Sequence, residues 1–309
     1  MSANLLHYRR WRGTFGGPLG SVWSIARTAM MMVFRRKLFW GLYAFALLTF
    51  LVFFFGQYLL AWAETQLGEQ SISLFGARVG PEQLIQILRD AMKLNGSAET
   101  YRNFFWYQGY MVMVLLAMAG AILVGNDFHH GSLPFYLSKP LTPWHYLLGK
   151  CLAVAVFINL MTTIPALILF VQYRTLYSWG ALDSEVQRLA GIIGYGLVLT
   201  VFLSLMLVAT ATWLRKTVPL IMAWTTLFFF FRLLASALVD GLKYDARWRL
   251  IDVWNDTYLI GNVCLGIATE TIRPSPQPAW YEAAGVLTVL GVVCLSYLSL
   301  RIRAVEVVR

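Results

Sequence analysis

Charge is what this sequence has least of. Only 13% of its 309 residues are charged, about half the share of a soluble domain, while 59% are hydrophobic. So few charges cannot cover a water-facing surface of that size. The mean hydropathy of +0.62 assigns much of the surface to lipid. Acidic residues are missing altogether from residues 1–37, a stretch that holds Arg9, Arg10, Arg12, Arg27, Arg35, Arg36 and Lys37. Cysteine is scarce, and Cys151, Cys264 and Cys294 show no metal or disulfide spacing, so they read as small apolar residues. Serine-hydrolase, rhomboid-like and HExxH patterns are absent, which removes the familiar routes to an integral membrane enzyme. No histidine falls inside an apolar run, which excludes paired haem ligation across helices. Neither an internal repeat nor a break in composition marks a second domain.

Long apolar runs, nearly free of charge, are what the chain does have. Six of them, at about 38–63, 103–125, 151–173, 189–214, 217–239 and 281–300, approach or exceed the ~20 residues a helix needs to cross the hydrocarbon core. The expectation is an all-α integral membrane protein, with 1–37 a basic segment and 38–309 a six-span transmembrane domain. Ala61-Trp62-Ala63 resembles a signal-peptidase site, but the run before it is 26 residues long. A signal h-region has about 7–15, so this is a retained first span. From Ser21 onward Val22, Ile25, Ala26, Ala29, Met30, Val33 and Phe34 recur at helical spacing. The pattern predicts an amphipathic helix at the membrane interface, with its basic groups toward lipid phosphates; a basic flank that only sets topology is the alternative. Ala117, Ala121 and Gly125 in the second run form a stripe suited to close helix contact. Residues 64–102 are polar, with one short helix starting near Pro81.

Topology follows from the distribution of basic residues. Segments 1–37, 126–150, 215–216 and 301–309 hold fourteen Lys/Arg against Asp127 and Glu306, whereas the loops on the other side hold ten Lys/Arg and thirteen Asp/Glu. The basic side is expected to be cytoplasmic, with both termini there, in a multi-pass protein of the inner or plasma membrane. The net charge of +10 sits mostly at the ends of apolar runs, which points to membrane lipid and not to nucleic acid.

Four constellations are candidates for chemistry. Leu148-Gly149-Lys150-Cys151 mimics a phosphate loop, but Trp144 and Cys151 stand where Gly and Ser/Thr are required. Asp127, His129, His130 and His145 could be metal ligands; a hydrated loop facing headgroups is the simpler account, because adjacent histidines do not easily face one ion. Arg232 interrupts the fifth span about 22 Å from its start at Thr217. There it either snorkels to water or forms an intramembrane polar site, with Gln57 and Gln172 weaker candidates. Residues 247–263 alternate aromatic and charged groups, as expected of a segment lying at or re-entering the outer interface. No catalytic, cofactor-binding or metal-binding residue is assigned.

At 126–150 the sequence resembles the permease subunits of ABC transporters of the ABC-2 exporter type (type V-like). The resemblance is carried by Gly131-Ser132-Leu133, then Leu137-Ser138-Lys139-Pro140-Leu141, then Leu148-Gly149-Lys150, in that order after the second span. It implies a non-enzymatic transmembrane half, dimeric with itself or another permease, that serves a separate ABC ATP-binding subunit. Carried over residue by residue, Gly131, Ser132, Leu133, Ser138, Lys139 and Pro140 would bear the main contact with that subunit, and Arg215 and Lys216 the lesser one. Asp127-Phe128-His129-His130 departs from relatives that often place Glu ahead of the Gly. A non-transporting scaffold of an envelope or motility complex, built on the same fold, is the competing function.

Overall fold

The computed structural model describes residues 17–65, 72–74, 77–125, 127, 142–177, 182–268 and 274–302. Among them six helices are long and apolar enough to cross a membrane: Lys37–Thr65, Ala98–Gly125, Pro143–Leu176, Ser184–Leu214, Thr217–Gly241 and Trp280–Arg301. The chain is an all-α, multi-pass membrane protein. One antiparallel pair of three-residue strands, Ile72–Leu74 with Ala77–Val79, interrupts the helices.

Burial sorts the spans into inner and outer members. The apolar stretches of the second and fourth are 72% and 61% buried, against 17%, 22% and 17% for the first, fifth and sixth. The second and fourth therefore form the packing centre, and the other three leave wide apolar faces for lipid or a further chain. The fourth-span helix begins at Leu182, earlier than the apolar run does, because its first turns carry Glu185 and Arg188, which hold ion pairs there.

The third span is two helices, Pro143–Met161 and Thr163–Leu176. Pro165 explains the break, since it lacks an N–H and its ring collides with the carbonyl four residues back, that of Met161. Thr162 accordingly leaves helical geometry at φ −117°, ψ −74°, and its hydroxyl donates to the Ile158 carbonyl at 2.7 Å. The fifth span is interrupted differently. Two π-helical stretches, Thr226–Phe230 and Ala237–Gly241, flank the single α-turn region Phe231–Ser236.

Two amphipathic elements close the ends of the bundle. Pro18–Phe34 starts after Gly17 with proline in the first turn, a position that needs no N–H. Ile25, Ala26, Ala29, Met30 and Val33 are its buried face, and Arg27, Arg35 and Arg36 are exposed. The apolar face meets the helix Pro143–Met161 instead of lipid, so here protein takes the place expected of acyl chains. At the other end Val253–Cys264 packs against the sixth and fourth spans and is buried on nearly every side. Sequence placed residues 247–263 at an interface. The structure puts the second half of that segment inside the fold, with Asp252 capping its N-terminus by accepting from the Trp254 and Asn255 N–H groups.

Candidate functional site

The stretch that carried the resemblance is mostly outside the described residues, and with it Gly131, Ser132, Leu133, Ser138, Lys139, Pro140, His129 and His130. Its two roots are described, and they are built as one unit. Asp127 closes the second span and Lys150 stands two turns into the third. The Lys150 ammonium lies 2.7 Å from Asp127 Oδ2, with the two side chains 1% and 10% exposed. The Tyr146 hydroxyl donates to the same oxygen at 2.8 Å. Lys150 also donates to the Leu123 carbonyl, which the π-helical stretch Ala121–Gly125 leaves available. Burying either charge alone would be expensive, and the pair is tolerated because each charge faces the other and gains a further hydrogen bond, from Tyr146 to Asp127 and from Lys150 to the Leu123 carbonyl.

Neighbouring residues make room for this pair. A Cβ on Gly149 would stand 2.8 Å from the Ile25 side chain and 3.0 Å from the Val22 carbonyl, so only glycine lets the N-terminal helix close over the root. A 70 Å³ cavity lined by Ser24, Ile25, Thr28, Ala29, Met32 and Lys150 remains between them. On the other side, a Cβ on Gly125 would stand 2.7 Å from the Arg215 carbonyl oxygen. Arg215 adopts φ +56°, the left-handed geometry of a helix C-terminus, and this aims its carbonyl at the end of the second span. The turn Arg215–Lys216 thus touches the base of the 128–141 loop through backbone atoms.

Two of the side chains singled out by sequence on this face have protein partners. The Asp127 carboxylate is engaged by Lys150 and Tyr146, and His145 forms a capping box with Thr142, whose hydroxyl lies 2.8 Å from His145 Nδ1. The Leu148-Gly149-Lys150 element separates into an exposed Leu148, a glycine of close approach and a buried cation.

Arg232 and Gln57, grouped by sequence as an intramembrane polar site, do not come together. No hydrogen bond or ring contact joins them among the described residues. Gln57 is fully buried, and neither amide atom has a partner among the described residues. Gln172 donates to the Phe54 carbonyl at 2.8 Å and ties the third span to the first. Arg232 is half-buried, its guanidinium 4.5 Å from the Trp106 ring and 5.3 Å from Tyr110, one turn apart on the second span.

Sequence reasoning missed several buried charges. Arg174, at the far end of the third span, pairs with Glu185 at 2.5 Å, both side chains 6% exposed. Arg249 donates to Asp240 at 2.6 Å and to the Pro276 carbonyl at 2.7 Å. Asp256 is fully buried, and neither carboxylate oxygen has a partner among the described residues. Burial pushes it up to about 9, helped by the nearby Asp252. Asp252 itself is pushed up to about 6 by burial, against the pull of its capping N–H bonds and of Arg232 and Arg249. The available signal was complementarity: single opposite charges at the ends of consecutive apolar runs, as Asp127 with Lys150 and Arg174 with Glu185.

Six apolar helices, closed at one end by a basic amphipathic helix over a stapled loop root, make up the membrane domain of a transporter, a permease. The family model described as ABC-2 family transporter protein matches residues 23–258, and the chain belongs to that family. A comparison with curated proteins finds no match.

Proposed function

We propose that this chain is the permease subunit of an ATP-driven ABC-2 exporter, working as a dimer and driven by a separate ATP-binding subunit. Its termini, the loop 128–141 and the turn Arg215–Lys216 lie on the cytoplasmic side of an inner or plasma membrane. Gly131, Ser132, Leu133, Ser138, Lys139 and Pro140 meet the ATP-binding subunit, and Arg215 and Lys216 form the lesser contact. One observation supports this reading above the others. Both ends of the loop are held by one buried group of side chains, Asp127, Tyr146 and Lys150, while the Arg215 carbonyl presses on Gly125 at its base. A loop rooted in this way passes a push to two spans together, as a docking element must. The apolar faces left open on the first, fifth and sixth spans suit a second permease and surrounding lipid.

The test is isolation of the tagged chain from native membranes, followed by ATPase assay of the purified assembly. An ATP-hydrolysing subunit is expected to accompany the chain. The Lys139→Glu substitution is expected to lower the stimulated rate several-fold while thermal stability is unchanged. Isolation that never retains an ATP-binding subunit overturns the exporter reading and leaves the scaffold. Full stimulation in Lys139→Glu overturns the placement of the contact.

A further inference from the structure

Arg232 stands in the half of the fifth span far from Arg215–Lys216, where a permanent charge is costly unless something compensates it. Its surroundings show how it is held. The guanidinium lies over the Trp106 and Tyr110 rings at 4.5 and 5.3 Å. Trp106 is in turn braced by Tyr258, with ring centres 4.7 Å apart, and Tyr110 by Phe229 at 6.1 Å. A guanidinium laid on ring faces is fixed in orientation, and its five N–H donors point outward in its own plane. Among the described residues none of those donors finds a hydrogen-bond acceptor, and Arg232 makes no ion pair. Asp252 is near enough to be felt electrostatically without reaching ion-pair distance, and its Oδ1 caps the helix Val253–Cys264.

The backbone around Arg232 is also unusual. The π-helical stretches Thr226–Phe230 and Ala237–Gly241 lie immediately before and after its α-helical segment. Such stretches re-aim side chains and recur at functional sites. Snorkelling needs neither an aromatic platform nor two π-helical stretches. Beside the arginine, Phe230 and Leu233 are 55% and 71% exposed, a surface suited to hydrocarbon. A fixed planar fork with unfilled donors, next to an apolar face, is complementary to a phosphate carried on acyl chains.

We infer that Arg232, stacked on Trp106 and Tyr110, binds the phosphate head of a membrane amphiphile whose chains lie along the fifth span. The inference concerns binding alone and stands whether or not the chain couples to an ATPase.

Purified chain in an uncharged maltoside detergent is titrated with dioctanoyl phosphatidic acid, and thermal unfolding is followed. Dioctanoyl glycerol, which has the same tails without phosphate, and inorganic phosphate serve as the other arms. Phosphatidic acid is expected to raise the midpoint by about 2 °C or more at saturation, and each of the other two by far less. Arg232→Gln should abolish the rise. Arg232→Lys keeps the charge and can still snorkel, but it loses the fork and should retain less than half of the rise. An undiminished rise in Arg232→Lys overturns the forked recognition. If Arg232→Gln does not fold, Arg232→Lys alone decides. An equal rise from inorganic phosphate replaces the amphiphile with a free anion, and an equal rise from dioctanoyl glycerol removes the anion site altogether.

Discussion

Replacing Lys150 by Met removes one charge from a buried pair and leaves the other behind. Asp127 would keep only the Tyr146 hydroxyl, at 2.8 Å, with its side chain 10% exposed, and the Leu123 carbonyl would lose its lysine donor. Breaking such a pair from one side typically costs about 3–5 kcal/mol, because the remaining charge is buried without compensation. Asp127→Asn should fall at the lower end, since the amide oxygen can still accept from Tyr146. The double substitution removes both charges while Met fills most of the lysine's volume and Asn keeps the tyrosine satisfied. It should therefore be milder than the sum of the two by about 2 kcal/mol or more. At roughly 2 °C per kcal/mol for a chain of this size, each single variant loses about 6–10 °C and the double variant about the same as one single. Unfolding midpoints of the four proteins in detergent, followed by gel filtration of the heated samples, close the cycle. Losses that add to within about 0.5 kcal/mol would falsify the pairing, because non-interacting sites add in that way.

Other outcomes follow from the same physics. Asp256 titrates near 9 in the folded chain against about 3.9 when unfolded, so the folded state holds a proton that the unfolded state has released. Stability should fall as pH rises from about 4 toward 9, and Asp256→Asn, which cannot ionise, should remove most of that fall in midpoints measured from pH 5 to 9. Gly149→Ala places a methyl 2.8 Å from Ile25, and Gly125→Ala places one 2.7 Å from the Arg215 carbonyl. Each should cost about 1–3 kcal/mol; the second should be the worse, because it presses on backbone that cannot rotate aside, and unchanged midpoints would refute the contacts. Glu185→Gln should leave Arg174 buried without a full charge partner and lower the midpoint more than Glu82→Gln, made at an exposed position.

The membrane architecture was legible because lipid imposes a simple rule, twenty or so apolar residues per crossing. The face of the N-terminal helix was legible for a similar reason, its apolar residues recurring every three or four positions. What covers that face was not legible, since periodicity says that a surface is buried and not by what. The break at Thr162 follows from Pro165, a residue whose effect depends on geometry that hydropathy does not register. The buried pairs were hidden because each partner alone, Asp127, Lys150, Arg174 or Glu185, reads as an ordinary flanking charge. Only distance shows that they are held together. Arg232 and Gln57 were grouped because both are polar within apolar runs, and their separation depends on helix rotation, which composition does not encode.

The third span has a mechanical character that its two halves define. Its first helix is anchored to the second span through Lys150 and Asp127, and its last turn to the fourth through Arg174 and Glu185, with the joint at Thr162 between. A rod fastened at both ends and jointed in the middle bends at the joint before either fastening yields. A displacement of the second span against the fourth should therefore bend the third at Thr162, the near half following the second span and the far half the fourth. Replacing Pro165 by Ala should straighten the joint and make the halves move as one. Distances between spin labels on each half and the fourth span would register this, and labels that move identically with and without the proline would refute it.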